Sequence, residues 1–172
     1  MKEKALTLVT ARLVLAPIEE KDRGQALSLF SDSAVKKTYM LPDFYDETEA
    51  NHFIDRIIRL TASPGHYSYG IFLEGSLIGF INDVCIEGSE IEIGYFISSL
   101  LWNEGYASEA FASLIEELFR VGFHSVVAAH FEENPASGAV MKKCGLTLID
   151  RTEEIEYRGK THHCIYYRIE AK

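Results

Sequence analysis

The chain has 172 residues, a hydrophobic fraction of 47% and a net charge of −9, with 17 basic residues against 26 acidic ones. That length suits one domain, residues 1–172, with a sizeable core. The acidic balance excludes a general nucleic-acid binder, which needs a cationic footprint. It mildly favours a cationic substrate such as an amine, although acidic surfaces also serve simply to keep proteins dispersed. No apolar run reaches the roughly 20 residues that cross a bilayer, so no membrane partner is expected. The first eight residues lack a signal-peptide core. Cys85, Cys144 and Cys164 are scattered and form no Cys-x-x-Cys pair. Neither a disulfide frame nor a metal site is therefore expected, and a reducing cytoplasm is the simplest compartment.

Residues 7–16 are β-branched and leucine-rich and predict a first strand, closed by Pro17. Asp22 caps a short helix with Ala26, Leu27, Leu29 and Phe30 on one side. Residues 31–45 are irregular. Their cluster of Tyr39, Met40, Leu41, Pro42, Phe44 and Tyr45 suits either a substrate wall or a flap over the core. Asp46-Glu47-Thr48-Glu49 is a helix start with a cap and a Glu three positions on. Phe53, Ile54, Ile57, Ile58 and Thr61 then recur at helical spacing until Ser63-Pro64-Gly65 stops the helix. Residues 67–73 and 77–86 form an antiparallel pair across Glu74-Gly75-Ser76.

After Gly88-Ser89 the segment 90–98 reads as a strand and 105–121 as an amphipathic helix ending at Gly122. Between them lies Trp102-Asn103-Glu104-Gly105-Tyr106-Ala107-Ser108. A strand turning through small residues into a helix start is an anion site, because the first helical amides lack partners and the helix dipole adds positive charge. Residues 125–130 form a short apolar strand. Asn134-Pro135 opens a helix whose buried face is Ala136, Ala139, Val140 and Cys144, ended by Gly145. Residues 146–157 and 161–169 close the chain as a long hairpin. The order is β-α-α-β-β-β-α-β-α-β-β, a mixed α/β sheet. The strands at 90–98 and 125–130 are parallel because a helix joins them.

Four stretches resemble the GNAT acetyltransferase superfamily, in its RimJ/RimL-like N-acetyltransferase branch. They are Thr10–Pro17, the pair Glu92-Ile93-Gly94-Tyr95-Phe96-Ile97 and Trp102–Ala110, the segment from Asn134-Pro135-Ala136-Ser137 to Lys143-Cys144-Gly145-Leu146, and the final hairpin. Together they cover nearly the whole chain. The resemblance implies a mostly antiparallel central sheet of about seven strands, splayed in the middle, with helices on both faces. It implies acetyl transfer from acetyl-CoA to a primary amine by direct attack in a ternary complex, without a metal, in a monomer or homodimer. A protein or peptide N-terminal amine is the leading acceptor. A small-molecule amine (polyamine, aminoglycoside or amino acid) is the alternative, and a non-catalytic acyl-CoA-binding module is a further one. Acetyl-CoA contacts are implied for Tyr95, Phe96, Ile97, Asn103, Glu104, Gly105, Tyr106, Ala107, Ser108, Asn134, Ser137 and Lys143.

The sequence departs from the branch at a few places. Glu104 puts a negative charge beside the expected diphosphate. Ala16 stands where an Arg is frequent, and Leu146 replaces a Phe. Gly105 and Ala107 suit close approach of backbone to phosphate, but also close packing of helix on sheet. An amine near pKa 10 needs deprotonation at neutral pH, and Glu92 is the first candidate base. Alternation puts it with Glu90 and Gly94 on one strand face, opposite Ile91, Ile93 and Tyr95. His66, His130 or a water-mediated base are alternatives. The proton donor that relatives draw from a Tyr is absent, because Met141 holds that position. The resemblance gives the role to Ser137, which also suits simple capping of a free amide. A backbone amide near Tyr95 or Phe96 would polarise the thioester carbonyl.

Overall fold

The computed structural model describes residues 3–172. One eight-stranded sheet in the order β1-β2-β3-β4-β5-β6-β8-β7 runs through it. The strands are β1 (Leu8–Val9), β2 (Leu13–Ala16), β3 (Tyr69–Leu73), β4 (Ser76–Glu87), β5 (Glu90–Ile97), β6 (Ser125–Phe131), β7 (Thr147–Tyr157) and β8 (Lys160–Glu170). The helices are α1 (Arg23–Phe30), α2 (Glu47–Ala62), α3 (Tyr106–Val121) and α4 (Pro135–Lys143). Every neighbouring pair is antiparallel except β5 and β6, which are parallel across the α3 crossover. The mixed, mostly antiparallel sheet is as expected.

Its extra strand comes from the segment at 7–16, which folds back on itself instead of running straight. Leu8 pairs with Leu15 and Val9 with Val14. The turn is closed by the Thr10 amide, which donates to the Leu13 carbonyl at 2.9 Å, and by the Leu13 amide, which donates to Thr10 Oγ1 at 2.9 Å. A threonine hydroxyl competing for backbone groups turns the chain where apolar content alone predicted continuity. The α2 start is as read, with Asp46 Oδ1 accepting from the Glu49 amide at 2.8 Å. Asp22 differs. It sits at the α1 start, but its carboxylate accepts from the Glu19 amide and closes the preceding 3₁₀ turn.

Two cores follow from the strand alternation. On one face α3 packs Phe111, Leu114 and Leu118 against Ile91, Ile93 and Val126, all essentially inaccessible. On the other, α1 and α2 pack Phe30 and Ile54 against Phe80 and Phe96. Full burial of one such side chain stabilises by roughly 1.5–3 kcal/mol. No helix covers the second face beyond β5, where Val127, Phe131, Cys164 and Tyr166 form a small separate cluster. Among the described residues no helix is long and apolar enough to cross a membrane.

β5 and β6 share only three pairs, Glu90–Ser125, Ile91–Val126 and Glu92–Val127. From Ile93 onward they part, and β6 follows β8 instead. The α3 end is held to the N-terminus by Glu117, whose carboxylate accepts from the Ala5 amide at 2.7 Å and from Arg120. Burial opposes its ionisation, yet the Arg120 and amide hydrogen bonds outweigh that and hold the carboxyl below its ordinary value. A depressed folded-state pKa gives stability that is complete above the ordinary carboxylate range and fades as pH falls through the folded value. Glu117→Gln is expected to lower stability by about 1–3 kcal/mol at neutral pH. It should also flatten the loss of stability on acidification in chemical denaturation series.

Candidate active site

The parting of β5 and β6 opens a cavity of about 440 Å³. Its walls are the end of β5, the 101–108 segment, the end of β6, α4 and the Val35–Tyr39 stretch. The Ser98 amide donates to the Ile78 carbonyl of β4 at 2.8 Å. Alternation along the strand therefore turns the Phe96 and Gly94 amides towards β4, and the Tyr95 and Ile97 amides into the opening. The Ile97 carbonyl accepts from Trp102 Nε1 at 2.8 Å, which folds the 98–105 segment back over the strand end. The Tyr95 backbone is left facing the cavity as a donor and acceptor without a strand partner. Its side chain packs on Phe111 and its hydroxyl donates to the Ser137 carbonyl at 3.1 Å, tying β5 to α4.

The turn into α3 is left-handed at Asn103 (φ 67°) and at the cap Gly105 (φ 83°). Glycine is the residue that takes this conformation without strain. With no side chain capping the helix, the amides of its first turn stay free. Arg12 and Lys143 flank that turn. A β-carbon placed on Gly105 would lie 3.5 Å from Arg12 Nη2 and 3.9 Å from Lys143 Nζ. Arg12 Nη1 donates to the Glu104 carbonyl at 3.1 Å, its guanidinium stacks 4.4 Å from the Tyr106 ring centre, and Nε pairs with Glu109 at 2.7 Å. Glu109 also accepts from the Thr10 hydroxyl and the Arg12 amide. Burial opposes its ionisation, but those hydrogen bonds hold its carboxyl below the ordinary value. The Glu104 side chain is exposed and takes no part in the cavity wall.

Of the residues read from the sequence, Tyr95, Phe96, Ile97, Asn103, Gly105, Tyr106, Ala107, Ser108, Asn134, Ser137 and Lys143 all line this one cavity. The Phe96 ring packs between Phe30 and Tyr39, the latter itself a wall residue. Asn134 stands at the α4 start but its side chain makes no capping bond. Glu92 is not in the wall. It is the last β5 residue paired with β6, and its carboxylate lies on the helix-free face, 3.8 Å from Arg151. Burial pushes that carboxyl up, Arg151 opposes the rise, and Glu153, Glu90 and Glu87 add to it.

His66 pairs with Asp83 at 2.8 Å and lies outside the cavity, whereas His130 is in its wall. Met141 is buried in the main core. The buried face expected for α4 needs correction. Gly138 and Met141 are its buried residues, while Ala136 and Ala139 are exposed and, with Val140, form cavity wall. Small apolar side chains that suit a core suit a ligand channel equally well.

Arg12 was missed as a site residue. The signal was present, a cation in a stretch already recognised as belonging to the branch, but its proximity to Gly105 depends on the turn that folds β1 onto β2. The aromatic loop at 31–45 serves in both proposed ways. Leu41 packs in the core and Tyr39 lines the cavity. The loop is strapped by the Tyr157 hydroxyl, which donates to the Lys36 carbonyl at 2.7 Å and accepts from the Leu41 amide at 3.3 Å. Arg158 adds an ion pair to Asp43 at 2.6 Å. No group of three or more His, Cys, Asp or Glu among the described residues is arranged to hold a metal.

The acetyltransferase (GNAT) domain profile matches residues 12–147. The chain belongs to the GNAT acetyltransferase family. The matched GNAT domain is an acetyl-CoA-dependent N-acetyltransferase domain. The chain is similar to the uncharacterized N-acetyltransferase YnaD of Bacillus subtilis, 31% identical over 143 residues, covering 81% of each protein. It is also similar to the FsC-acetyl coenzyme A-N(2)-transacetylase of Aspergillus fumigatus, 29% identical over 155 residues. That match covers 84% of the chain and 66% of the fungal protein, just under two thirds of its length. A GNAT-family acetyltransferase from Bacillus anthracis superposes with a TM-score of 0.80 at 26% identity, over 95% of this chain and 98% of the other. The ribosomal L7/L12 α-N-protein acetyltransferase RimL, solved with coenzyme A, gives a TM-score of 0.83 over 95% and 97% of the two chains. At 21% identity this likeness is one of fold.

One close approach at the cavity wall can be tested directly. A β-carbon on Gly138 would lie 2.6 Å from His130 Nε2. Alanine normally stabilises a helix interior by about 1 kcal/mol over glycine. Here Gly138→Ala is expected instead to destabilise by roughly 1–3 kcal/mol through overpacking, read as a lowered Tm.

Proposed function

We propose that residues 1–172 act as one N-acetyltransferase domain that moves the acetyl group of acetyl-CoA to a primary amine, with the α-amine of a protein or peptide as the leading acceptor. The observation that carries this is the cavity at the β5–β6 parting, ending in a left-handed turn with free helix amides between Arg12 and Lys143. Amides and dipole at a helix start suit a diphosphate, and the two cations add charge that offsets Glu104. The unpaired Tyr95 backbone suits the amide-bearing arm of the carrier and, at its amide, the thioester oxygen.

In this reading the acceptor approaches from the helix-free face, where Glu92 stands at the apex of the opening. A carboxyl raised by burial is a better base near neutrality than an ordinary one, and it attracts a cationic amine. Ser137 offers its hydroxyl to the departing sulfur. A small-molecule amine is the second reading. The Aspergillus relative is named for N(2) of FsC, and the strap from Tyr157 to residues 36–41 narrows the acceptor side. Three free cysteines suit a reducing compartment such as the cytoplasm.

Isothermal titration with acetyl-CoA tests the carrier site. Lys143→Ala is expected to weaken binding by about 1 kcal/mol, a several-fold rise in Kd, with Tm unchanged because Lys143 is exposed. An unaltered Kd would remove Lys143 from the site. Thiol release over a panel of peptides and small amines, followed by mass spectrometry, identifies the acceptor. Glu92→Gln is expected to lower kcat about 10²-fold or more if it is the base, and Ser137→Ala to lower it by a smaller factor. Turnover equal to the parent in both variants would sink these two roles.

A further inference from the structure

The cavity wall contains a histidine that the reading above leaves without work. His130 is only 9% exposed. Its Nδ1 lies 2.8 Å from the Phe131 carbonyl, and its ring stacks on Tyr167 with centroids 5.7 Å apart. A carbonyl can only accept, so the neutral ring carries its proton on Nδ1 and presents a lone pair at Nε2. That Nε2 is buried and has no partner. Buried polar atoms are almost always satisfied, and an orphaned one calls for a functional account.

The surroundings are arranged around this nitrogen. It faces α4 at Gly138, the one residue type there that leaves room for it, since any β-carbon would stand 2.6 Å away. The preceding residue, Ser137, lines the same cavity, and the Ser137 carbonyl is occupied by the Tyr95 hydroxyl and so does not compete for protons. Met141, one turn further along α4, offers no exchangeable proton and lies in the core.

We propose that His130 carries a proton from the attacking amine to the departing sulfur. This rests on the reading that the cavity holds the thioester end of acetyl-CoA. The acceptor enters as a neutral amine, having lost its first proton on the Glu92 side. Its nitrogen bonds to the thioester carbonyl carbon while still bearing two amine protons. One passes to His130 Nε2. The carbon–sulfur bond then breaks, its electron pair stays on sulfur, the Ser137 hydroxyl gives its proton to that sulfur, and the Nε2 proton replaces it on Ser137. An amide and a free thiol result, and His130 returns to its neutral form. Glu92 and His130 thus handle successive protons from opposite sides of the sheet.

His130→Phe keeps an aromatic ring against Tyr167 while removing both nitrogens. It is expected to bind acetyl-CoA within about threefold of the parent and to lose about 10²-fold or more in kcat. Turnover within threefold of the parent would overturn the proposal. A second measurement needs no substitution. Ring signals of His130, assigned by contacts to Tyr167, are followed by NMR as CoA or desulfo-CoA is added to the unmodified protein. CoA is expected to shift them clearly more than its thiol-free analogue. Equal shifts would overturn the proposal even if His130→Phe does not fold. Absence of acetyl-CoA binding or thiol release in the parent would instead overturn the functional reading beneath it.

Discussion

Three residue pairs, Glu90–Ser125, Ile91–Val126 and Glu92–Val127, join the two halves of the sheet, and the site depends on their number. A parallel pair continued to the strand ends would satisfy every amide of β5 and leave no opening. Stopping at Glu92 exposes the Tyr95 and Ile97 backbone groups, which would be costly if buried dry. Trp102 takes one of them through its indole nitrogen. The rest face a cavity that is polar along β5 and apolar along α4. What keeps β6 from closing the gap is its full antiparallel ladder with β8, seven pairs from Ser125–Glu170 to Phe131–Cys164. The sheet is continuous on both sides of the parting, and only there do neighbouring strands separate.

The second constraint is electrostatic. The α3 start gathers free amides, Arg12 and Lys143 around a turn in an otherwise acidic protein. Arg12 is fixed by Glu109, itself in the first turn of α3, so the helix carries the carboxylate that orients the cation above its own N-terminus. The same carboxylate accepts from Thr10, the residue that turns β1 onto β2. One side chain therefore joins the edge of the sheet to the left-handed turn at the α3 start. The negative charge of Glu104 stays in solvent, where it is screened over about 8 Å.

Much of this was legible in the residues. The period-two pattern of 90–97 and the glycine turn before a period-3.6 helix pointed to residues that line the cavity, because both patterns are local. Asn134, Ser137 and Lys143 followed from a motif of fixed spacing on one short helix. What escaped depends on contacts distant in sequence. Arg12 approaches Gly105 only after the threonine turn. Ala136 and Ala139 read as core because apolar periodicity marks any face turned from bulk water, and a cavity wall is such a face. His130 was read only as an alternative base, because nothing in its own stretch sets it above His66. Its interest arises from an empty side chain at Gly138 eight residues away.

The long hairpin of β7 and β8 ends the sheet on an edge strand of eleven residues, and such edges invite pairing with other chains. The register of β7 shifts between Leu148 and Thr152, and Arg151, Glu153, Glu154 and Glu156 crowd its middle. A bulged strand crowded with charged, mostly acidic side chains is a poor template for a second copy to extend. At the opposite end β1 offers only two residues. Beyond β5 the sheet can thus keep its second face clear of helices while neither rim encourages aggregation.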